Sequence, residues 1–407
     1  MMEQYENVIN RIKRELIGKL EYLEDVSDEN LKKMIGEELQ KAEGDLHIPV
    51  KKRIELSRQI FHSMRKLDIL QDFLEDESVT EIMINGPNNI FVERAGRLYK
   101  SERRFDSEET LRNVIQQIVA KCNRVVNESS PIVDARLGDG SRVNVVLSPV
   151  ALNGPILTIR RFPKDPFMMK DLIRIGSLDN EVALFLEKLV ISGYNIIISG
   201  GTGSGKTTFL NALSAFIPAD ERIITIEDSA ELQIQGIDNL VRMETKNANT
   251  DAGKAIVIRD LIKTSLRMRP TRIIVGECRG GEAMDMICSA MNCGHDGSMS
   301  TVHANSATDS IARLETMILM AAELPVNAIR RQIAGGVDII VQLGRLRDKS
   351  RRVLEIVEVE GFDGHEVLVN PIYRFKESGE SKSSVIGRLE KVGELKGVEK
   401  LKAAGIN

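Results

Sequence analysis

One segment of the sequence has residue types and spacing that could bind a nucleoside triphosphate. Gly200, Gly205, Lys206 and Thr207 fit the pattern G-x-x-x-x-G-K-T, and the short apolar run Ile196–Ile198 precedes them. Glycines let successive backbone N–H groups turn toward phosphate oxygens, and the start of the following helix adds the positive end of its dipole. We predict that the lysine reaches the β- and γ-phosphates and that the threonine hydroxyl binds Mg²⁺. The predicted nucleotide contacts in this segment are Gly200, Gly201, Thr202, Gly203, Ser204, Gly205, Lys206, Thr207 and Thr208.

Two acidic residues downstream could supply the chemistry of phosphate-bond hydrolysis. Glu227 follows the largely apolar run Ile223–Ile226, and Glu277 comes just after the apolar run Ile273–Val275. A carboxylate at the end of a parallel strand beside the loop's own strand faces the ligand crevice, where it can order metal-bound water or polarise the attacking water. We predict that Glu277 activates the water and that Glu227 supports Mg²⁺, directly or through water.

Other sequence signals separate the classes of protein that use such a loop. A GTPase would carry an N-K-x-D segment and a transporter-type ATPase an L-S-G-G-Q segment, and the sequence contains neither. Small-molecule kinases are shorter and carry an arginine-rich lid. The motifs therefore favour hydrolysis of ATP.

The residues around the loop predict an α/β domain over residues 166–376. Apolar segments of strand length alternate with amphipathic segments of helix length, which is typical of a parallel sheet covered by helices. The expected strands are Tyr194–Ser199, Arg222–Ile226, Arg272–Val275, Gly297–His303, Val337–Leu343, Val353–Val359 and Val367–Tyr373. The expected helices are Leu178–Ile191, Thr207–Ala215, Lys254–Arg267, Gly281–Met291, Ala307–Met320 and Val326–Ile333.

The flanking regions differ in pattern from this domain. Residues 1–67 are highly charged but have apolar residues at helical spacing, which predicts a bundle of three short helices. Residues 68–165 show strand-like segments broken by Gly, Pro and Asn turns, which predicts an α+β domain. The prolines of Pro163–Phe167 predict a hinge. Residues 377–407 are rich in Ser, Gly, Lys and Glu, which predicts a mobile tail.

The composition excludes several classes of function. Of the 407 residues, 56 are basic and 60 are acidic. With charges balanced in this way, no strong positive field for direct nucleic-acid binding is expected. No apolar run approaches the length of a membrane span, and the first residues lack the apolar core of a signal peptide. Four cysteines and five histidines show no paired metal-binding spacing, so a structural metal is not expected. These features predict a cytoplasmic protein.

Four segments, in their order along the chain, resemble the signature boxes of the type II/IV secretion ATPase superfamily. Gly200–Thr208 resembles its Walker A box, Arg222–Leu232 its Asp box, Leu266–Glu277 its Walker B box and Gly294–Asn305 its His box. The forms R-M-R-P and G-H-D-G-S, with T-I-R-R-F before the loop domain, are most similar to the Tad/Cpa pilus-assembly branch. The resemblance covers about residues 68–375, and residues 1–67 carry no motif of the family.

This resemblance implies a RecA-like core that works as a homo-hexamer, with ATP bound between the α+β domain and the core. Turnover would drive pilin assembly or protein export through an inner-membrane platform protein, so the chain would associate with the inner face of the membrane only through partners. It also implies that Glu277 takes the catalytic part in the Walker B box. His303 would sense the γ-phosphate or relay its state to a neighbouring subunit.

Basic residues and one cysteine near these boxes are further candidates. An arginine could offset charge that develops on the phosphates. We place Arg279 in the catalytic group and Arg161 in the nucleotide-binding group. Cys278, beside Glu277, is interpreted as a structural residue, with the alternative hypothesis that its thiol makes turnover sensitive to oxidation. The arginines considered for phosphate or inter-subunit contacts are Arg136, Arg142, Arg160, Arg161, Arg242, Arg267, Arg269 and Arg279.

Other functions stay open at this point. A conjugation or effector-secretion ATPase of the same superfamily shares all four boxes. A nucleotide-gated scaffold, a different class of protein, would bind ATP with little turnover. A DNA-translocating ATPase is disfavoured because the charge is balanced and no basic stripe with aromatic residues is present.

Overall fold

The computed structural model describes residues 2–20, 26–42, 48–94, 96–162, 166–246, 255–381 and 384–406. Its contacts divide the chain into two compact units, Met1–Pro163 and Lys164–Asn407. Within the described ranges, no helix is both long and apolar enough to cross a lipid bilayer. Residues 163–165 of the predicted hinge Pro163–Phe167 lie outside the described residues.

The first unit begins with three helices that cover one another's apolar faces. They are α1 (Met2–Leu20), α2 (Asp28–Ala42) and α3 (Val50–Arg65). Their apolar residues recur at intervals of three or four, so they form one stripe on each helix. The three helices predicted from this spacing are confirmed. The side chains that the helices bury almost completely are Ile12, Leu16, Leu31, Ile35, Leu39, Leu56 and Ile60.

The remainder of the first unit is a six-stranded antiparallel sheet with the order β3-β2-β1-β6-β5-β4. The helix α5 (Glu108–Lys121) begins at Ser107, whose hydroxyl accepts the backbone N–H of Thr110 at 3.1 Å. Apolar residues of α5 share a core with alternate residues of the strands. The other elements are α4 (Leu70–Glu75), β1 (Val79–Asn85), β2 (Ile90–Arg94), β3 (Arg97–Lys100), β4 (Ile132–Arg136), β5 (Arg142–Val146) and β6 (Ile156–Arg160).

The second unit is built on a nine-stranded sheet with the order β15-β14-β13-β12-β7-β11-β10-β8-β9. The last six strands of this order, from β12 to β9, run parallel to one another. Their bounds are β7 (Ile196–Gly200), β8 (Ile223–Glu227), β9 (Leu240–Glu244), β10 (Arg272–Cys278), β11 (Met299–Val302) and β12 (Ile339–Arg345). The strand β9 was not predicted, because half-exposed and charged residues alternate along this edge strand.

Helices cover both faces of this sheet, since alternate residues of its central strands point to opposite sides. Ile196 and Ile198 of β7 share one core with α6, α7 and α8, whereas Ile197 shares a second core with α9, α11 and α12. The predicted helix Gly281–Met291 is instead a short α10 followed by one π-helical segment, Asp285–Met291. The helix bounds are α6 (Met169–Arg174), α7 (Asn180–Ile191), α8 (Lys206–Ser214), α9 (Ile258–Ser265), α10 (Glu282–Met284), α11 (Ala307–Leu319) and α12 (Val326–Gly336).

Two expectations about the end of the chain are wrong. The sheet is mixed, because β13 (Arg351–Phe362), β14 (Val367–Ser381) and β15 (Ser384–Lys391) run antiparallel beyond β12. Residues 377–381 and 384–391 are therefore part of the sheet, and they do not form a mobile tail. The charged residues that suggested a tail lie on a sheet edge, while Val385 and Leu389 point inward and are at most 9% exposed.

The segment after β15 is held by buried polar groups. Glu358 of β13 is 5% exposed, and its carboxylate accepts the backbone N–H of Gly397 at 2.6 Å and of Lys396 at 3.0 Å. Lys400, in the last helix α13 (Glu399–Ala403), donates to Asp338 at 2.7 Å and to Asp296 at 2.8 Å. These contacts join the end of the chain to the amino-terminal edge of the parallel strands.

Glu358→Ala should release this segment locally. Removing the carboxylate leaves two backbone N–H groups without their acceptor, and each loss of this kind costs about 1–3 kcal/mol. We expect hydrogen exchange at the amides of Lys396 and Gly397 to accelerate by roughly 10- to 100-fold. Mass spectrometry of peptides from residues 392–406 measures this directly.

Glu360→Ala is the matched control, because Glu360 lies on the same strand but forms only an exposed ion pair with Lys396. It should change the exchange of the same peptides by less than about twofold. Equal acceleration in both variants would mean that the buried carboxylate does not hold the segment.

Candidate functional site

The phosphate-binding motif forms the turn between β7 and α8, as its spacing predicts. Gly200 has a φ of +158° and Gly205 a φ of +94°, so both have backbone conformations that side chains disfavour. At Gly200 the space is also closed, because a Cβ would lie 2.6 Å from Ser204 Oγ and 2.7 Å from the Leu343 carbonyl oxygen. The sequence therefore needs glycine here for two separate reasons.

Lys206 begins α8 and turns its ammonium group back over the loop. Its Nζ donates to the carbonyl oxygens of Gly200 at 3.0 Å and Gly201 at 3.1 Å. It also lies 3.3 Å from Nδ1 and 3.4 Å from Nε2 of His303. Burial lowers the pKa of Lys206, and the negative charge of Glu277 acts in the opposite direction. The loop lysine and the predicted histidine are therefore in contact.

His303 connects this lysine to the predicted catalytic carboxylate. Its Nε2 lies 2.7 Å from Glu277 Oε1, although the two groups are not aligned as a directed hydrogen bond. Burial, with the nearby charge of Lys206, lowers the pKa of His303, so the neutral ring is favoured. The ammonium group of Lys206 can only donate, so the tautomer with hydrogen on Nε2 suits both neighbours.

The other oxygen of Glu277 is held by Arg279. Oε2 accepts from Arg279 Nε at 2.9 Å and lies 2.8 Å from Nη2, a two-point contact that raises the pKa of Arg279. Arg279 Nη1 is 3.9 Å from Asp228. The backbone N–H of Arg279 is itself capped by Glu282 at 2.5 Å. Groups of alternating charge thus run from the phosphate loop to the segment after β8.

The two histidines of the predicted His box lie at opposite ends of β11. His303 follows the strand at its carboxyl end, beside Lys206. His295 precedes the strand, and its Nδ1 lies 3.0 Å from the carbonyl oxygen of Pro270. His295 thus contacts a turn at the opposite edge of the sheet, and only His303 reaches the groups of the site.

Glu227 is placed differently from the position predicted for a metal-supporting residue. It ends β8 and is 3% exposed, and its Oε2 accepts the backbone N–H groups of Glu231 at 2.7 Å and Leu232 at 3.0 Å. Oε1 has no hydrogen-bond partner among the described residues. Burial raises the pKa of Glu227, and this effect exceeds the opposite effect of the two N–H donors, which lower it. This side chain holds the segment that follows its strand, and its role toward Mg²⁺ stays a prediction.

Two of the predicted arginines donate to backbone carbonyl oxygens. Arg161 donates from Nη1 to the carbonyl oxygens of Asp76 and Val79, the second at 3.1 Å, within the first unit. Arg242 donates to the Leu232 carbonyl oxygen at 2.9 Å. Among the predicted arginines, Arg279 is the one that the structure brings to Glu277. The contact of Arg161 with a nucleotide stays a prediction.

Cys278 fits the structural interpretation better than the alternative of an oxidation-sensitive thiol. The side chain is 2% exposed, and burial raises the pKa of the thiol to about 12. Its sulfur lies 3.3 Å from Ser300 Oγ. Since the thiolate is the reactive form, a buried thiol of this kind is inert. Proximity in sequence to Glu277 gave a misleading signal, because successive strand residues point to opposite faces.

Sequence reasoning missed three residues that shape the site. Arg351 donates to the carbonyl oxygen of Gly203 at 2.8 Å, and Gln342 donates to that of Ala304 at 3.4 Å. Thr301 donates to the carbonyl oxygen of Gly276 at 2.8 Å, joining β11 to β10. Thr301 lies within the His box and could have been chosen from its position. Arg351 and Gln342 lie far along the chain, and no local pattern marks them.

One group of possible metal ligands lies in the first unit, away from these motifs. Atoms of His62, Asp72 and Glu75 lie within 4.8 Å of one another. Asp72, however, already pairs with Arg58 at 2.8 Å and with Arg103. Two guanidinium groups on one carboxylate oppose a further cation, so we assign no metal here.

The fold and the site together define a P-loop α/β protein of the RecA-like ATPase fold. The chain belongs to the type II/IV secretion system protein family, whose model matches residues 63–390. A conjugal transfer protein TrbB of Rhizobium radiobacter is 33% identical over 292 residues, covering 71% of this chain and 86% of the relative. The type IV secretion system protein PtlH of Bordetella pertussis is 31% identical over 320 residues, covering 71% of this chain and 93% of the relative.

Solved structures support the fold. The pilus retraction motor PilT with bound ADP has a TM-score of 0.52 at 19% identity, covering 81% of this chain and 83% of that one. The ATPase DotB of Legionella pneumophila has a TM-score of 0.52 at 22% identity, covering 71% of this chain and 80% of that one. These likenesses confirm the predicted RecA-like fold. The relatives TrbB and PtlH are a conjugal-transfer protein and a type IV secretion protein, and neither is named as a Tad pilus protein.

The lowered pKa of His303 predicts a pH dependence of stability. In the unfolded chain the ring takes up a proton near its ordinary pKa of about 6.5, whereas the folded ring takes it up only at lower pH. The unfolded state therefore binds more protons below this pH, and the free energy of unfolding should decrease as pH falls. His303→Gln should make this decrease shallower between pH 7 and pH 5, measured by urea unfolding.

The same variant at pH 8 provides the control for lost packing, because the ring is then neutral in both states. A constant difference between wild type and variant across the whole pH range would contradict the assignment of a lowered pKa.

Proposed function

We propose that this protein is an ATP-hydrolysing motor of a secretion or pilus machine. One observation carries the proposal. Lys206, His303 and Glu277 meet at the carboxyl ends of β7, β11 and β10, which are neighbours in the sheet. Binding and catalytic groups that converge at this edge are the arrangement expected for a nucleotide-hydrolysing α/β protein.

The residues present fit Mg²⁺ and ATP as ligands. Gly200 and Gly205 supply the positive-φ conformations that the turn of the loop requires, and Lys206 supplies a cation within it. Thr207 lies half-exposed in the first turn of α8, where its hydroxyl can serve as a metal ligand. Bound Mg²⁺ would neutralise charge on the β- and γ-phosphates.

Glu277 is the residue that we assign to the attacking water. It lies at the end of a buried strand, with its side chain 18% exposed, so water can reach the carboxylate while most of its surface is enclosed. Arg279 fixes one oxygen and His303 faces the other, and together they set the direction of the carboxylate. A base fixed in this way can orient a water molecule and accept its proton.

His303 is suited to couple the loop to this base. It contacts Lys206 on one side and Glu277 on the other, so a displacement of the ammonium group alters the surroundings of the carboxylate. We propose this contact as the means by which the ring senses the γ-phosphate. Arg279, which lies beside Glu277 and is well exposed, is proposed to offset charge developing in the transition state.

Two observations bear on which machine the motor drives, and they favour different candidates. The motif forms R-M-R-P and G-H-D-G-S favour assembly of a Tad-type pilus. The named relatives act in conjugal transfer and type IV secretion, which favours the second candidate. In either case we propose a cytoplasmic homo-hexamer that acts on an inner-membrane platform protein without binding nucleic acid directly.

Glu277→Gln tests the proposed hydrolysis. The amide keeps the size of the side chain but cannot accept a proton, so kcat for ATP should fall at least about 100-fold. The dissociation constant for Mg·ATP should stay within about threefold, since the phosphate loop is untouched. A phosphate-release assay and calorimetric titration measure the two quantities on the full chain.

Glu323→Gln, an exposed glutamate after α11, is the matched control and should behave as wild type. Equal turnover in wild type and Glu277→Gln would remove Glu277 from the reaction. Wild type that binds Mg·ATP without measurable turnover would instead support the nucleotide-gated scaffold.

The identity of the machine has a separate test in the genes beside this one. A Tad-type pilus motor should have neighbours encoding small prepilin-like proteins and a multi-span platform protein. A conjugation motor should have neighbours encoding a relaxase and a coupling protein. The second outcome would replace pilus assembly by conjugal transfer and would leave the proposed ATPase activity unaffected.

A further inference from the structure

Arg351 touches the phosphate-binding loop from a distant part of the chain. It is the first residue of β13, and its Nε donates to the carbonyl oxygen of Gly203 at 2.8 Å. Its Cδ lies 3.5 Å from the position that a Cβ on Gly205 would take. One exposed arginine side chain therefore lies along the outer side of two loop glycines.

The strand that carries Arg351 is firmly held at this point. The carbonyl oxygen of Arg351 accepts from Ser177 Oγ at 2.7 Å. In the turn before it, Asp348 accepts the backbone N–H of Ser350 at 2.9 Å and that of Val385 in β15 at 2.7 Å. The Ser350 hydroxyl also donates to Asp348 at 2.6 Å, and this hydrogen bond, with the two from the backbone, lowers the pKa of Asp348 to about 2, so the carboxylate keeps the turn fixed at any ordinary pH.

The contact at Gly203 has a consequence for the next backbone N–H. In a trans peptide the carbonyl and the following N–H point in opposite directions. Because Arg351 holds the Gly203 carbonyl on the outside of the loop, the N–H of Ser204 points to its inside. There it donates a long hydrogen bond of 3.3 Å to the carbonyl oxygen of Gly201, which also accepts from Lys206 Nζ. This N–H is therefore directed to where loops of this kind present donors to phosphate oxygens.

We propose that Arg351 is a positioning residue that fixes the Gly203–Ser204 peptide for phosphate binding. The inference rests on the proposed function, since it concerns how the same loop binds its nucleotide. Arg351 acts through the backbone of the loop. It should therefore increase the affinity for ATP and for ADP equally, because the loop binds phosphates that both nucleotides have. The strands at the end of the chain then contribute to nucleotide affinity, because β15 and the turn at Asp348 hold Arg351 in place.

A direct contact between Arg351 and a γ-phosphate would make a different prediction. Its loss would weaken ATP binding far more than ADP binding, because ADP lacks that group. A positioning role predicts equal losses for the two nucleotides. It also predicts that KM changes while kcat at saturation does not, because the interaction is the same in the ground state and the transition state.

The experiment compares the full-length wild type with Arg351→Ala, Arg351→Lys and Arg331→Ala. Calorimetric titration gives the dissociation constants for Mg·ATP and Mg·ADP, and a phosphate-release assay gives KM and kcat. Arg351→Ala should raise both dissociation constants about tenfold and KM to a similar extent, with kcat within about twofold. Arg351→Lys should recover most of the affinity, because an ammonium group can still donate to the Gly203 carbonyl. Arg331→Ala, on the exposed face of α12, should match wild type.

Several outcomes would overturn the inference. Unchanged dissociation constants in Arg351→Ala would do so, and so would a loss confined to ATP. If Arg351→Ala does not fold, Arg351→Lys alone still decides, because a positioning role requires it to bind both nucleotides within about threefold of wild type. Wild type that fails to bind Mg·ATP would refute the proposed function itself, and with it this inference. Wild type that binds and hydrolyses ATP while Arg351→Ala behaves identically would refute the inference alone.

Discussion

The site depends on one constraint, which is that neighbouring parallel strands end at the same edge of their sheet. β7, β11 and β10 are adjacent in this order, so Lys206, His303 and Glu277 come together although Lys206 and His303 are 97 positions apart along the chain. The strands are buried on both faces, which fixes their register and therefore the height at which each side chain emerges. The distances of 3.3 Å and 2.7 Å along this line of groups follow from that register.

The sequence was sufficient for the parts of the site that local patterns define. The loop glycines, Lys206 and Glu277 each stand in a short motif that ends a strand, so their placement could be predicted from spacing alone. The hydrogen bonds by which Glu227 holds the segment after β8 could not be predicted, because its two N–H partners lie in a loop whose path has no periodic pattern. Arg351 could not be chosen either, since its contact with Gly203 joins residues 148 positions apart. Whether a side chain faces the site or the backbone beneath it is decided by tertiary packing.

The end of the chain shows the same limit for the fold. Residues 384–391 carry charge on one side and only two inward apolar side chains, Val385 and Leu389, so composition alone indicates a solvated segment. An edge strand needs only one apolar face, and the neighbouring strand supplies its hydrogen bonds. Glu358 then provides the acceptors for the backbone beyond it. The parallel strands were predictable because burial on both faces makes them continuously apolar, whereas the antiparallel edge resembles a tail.

The contacts of Lys206 suggest how binding and catalysis are linked. The ammonium group has three hydrogens, and it faces the Gly200 carbonyl, the Gly201 carbonyl and the ring of His303. A further acceptor in the loop must replace one of these partners. The contact with His303 is the longest and involves a partly exposed ring, so it costs least to give up. When it is lost, the positive charge that lowers the pKa of His303 moves away, which favours the protonated ring and so strengthens its interaction with Glu277. We therefore propose that a change at the phosphate loop reaches the carboxylate through one imidazole ring.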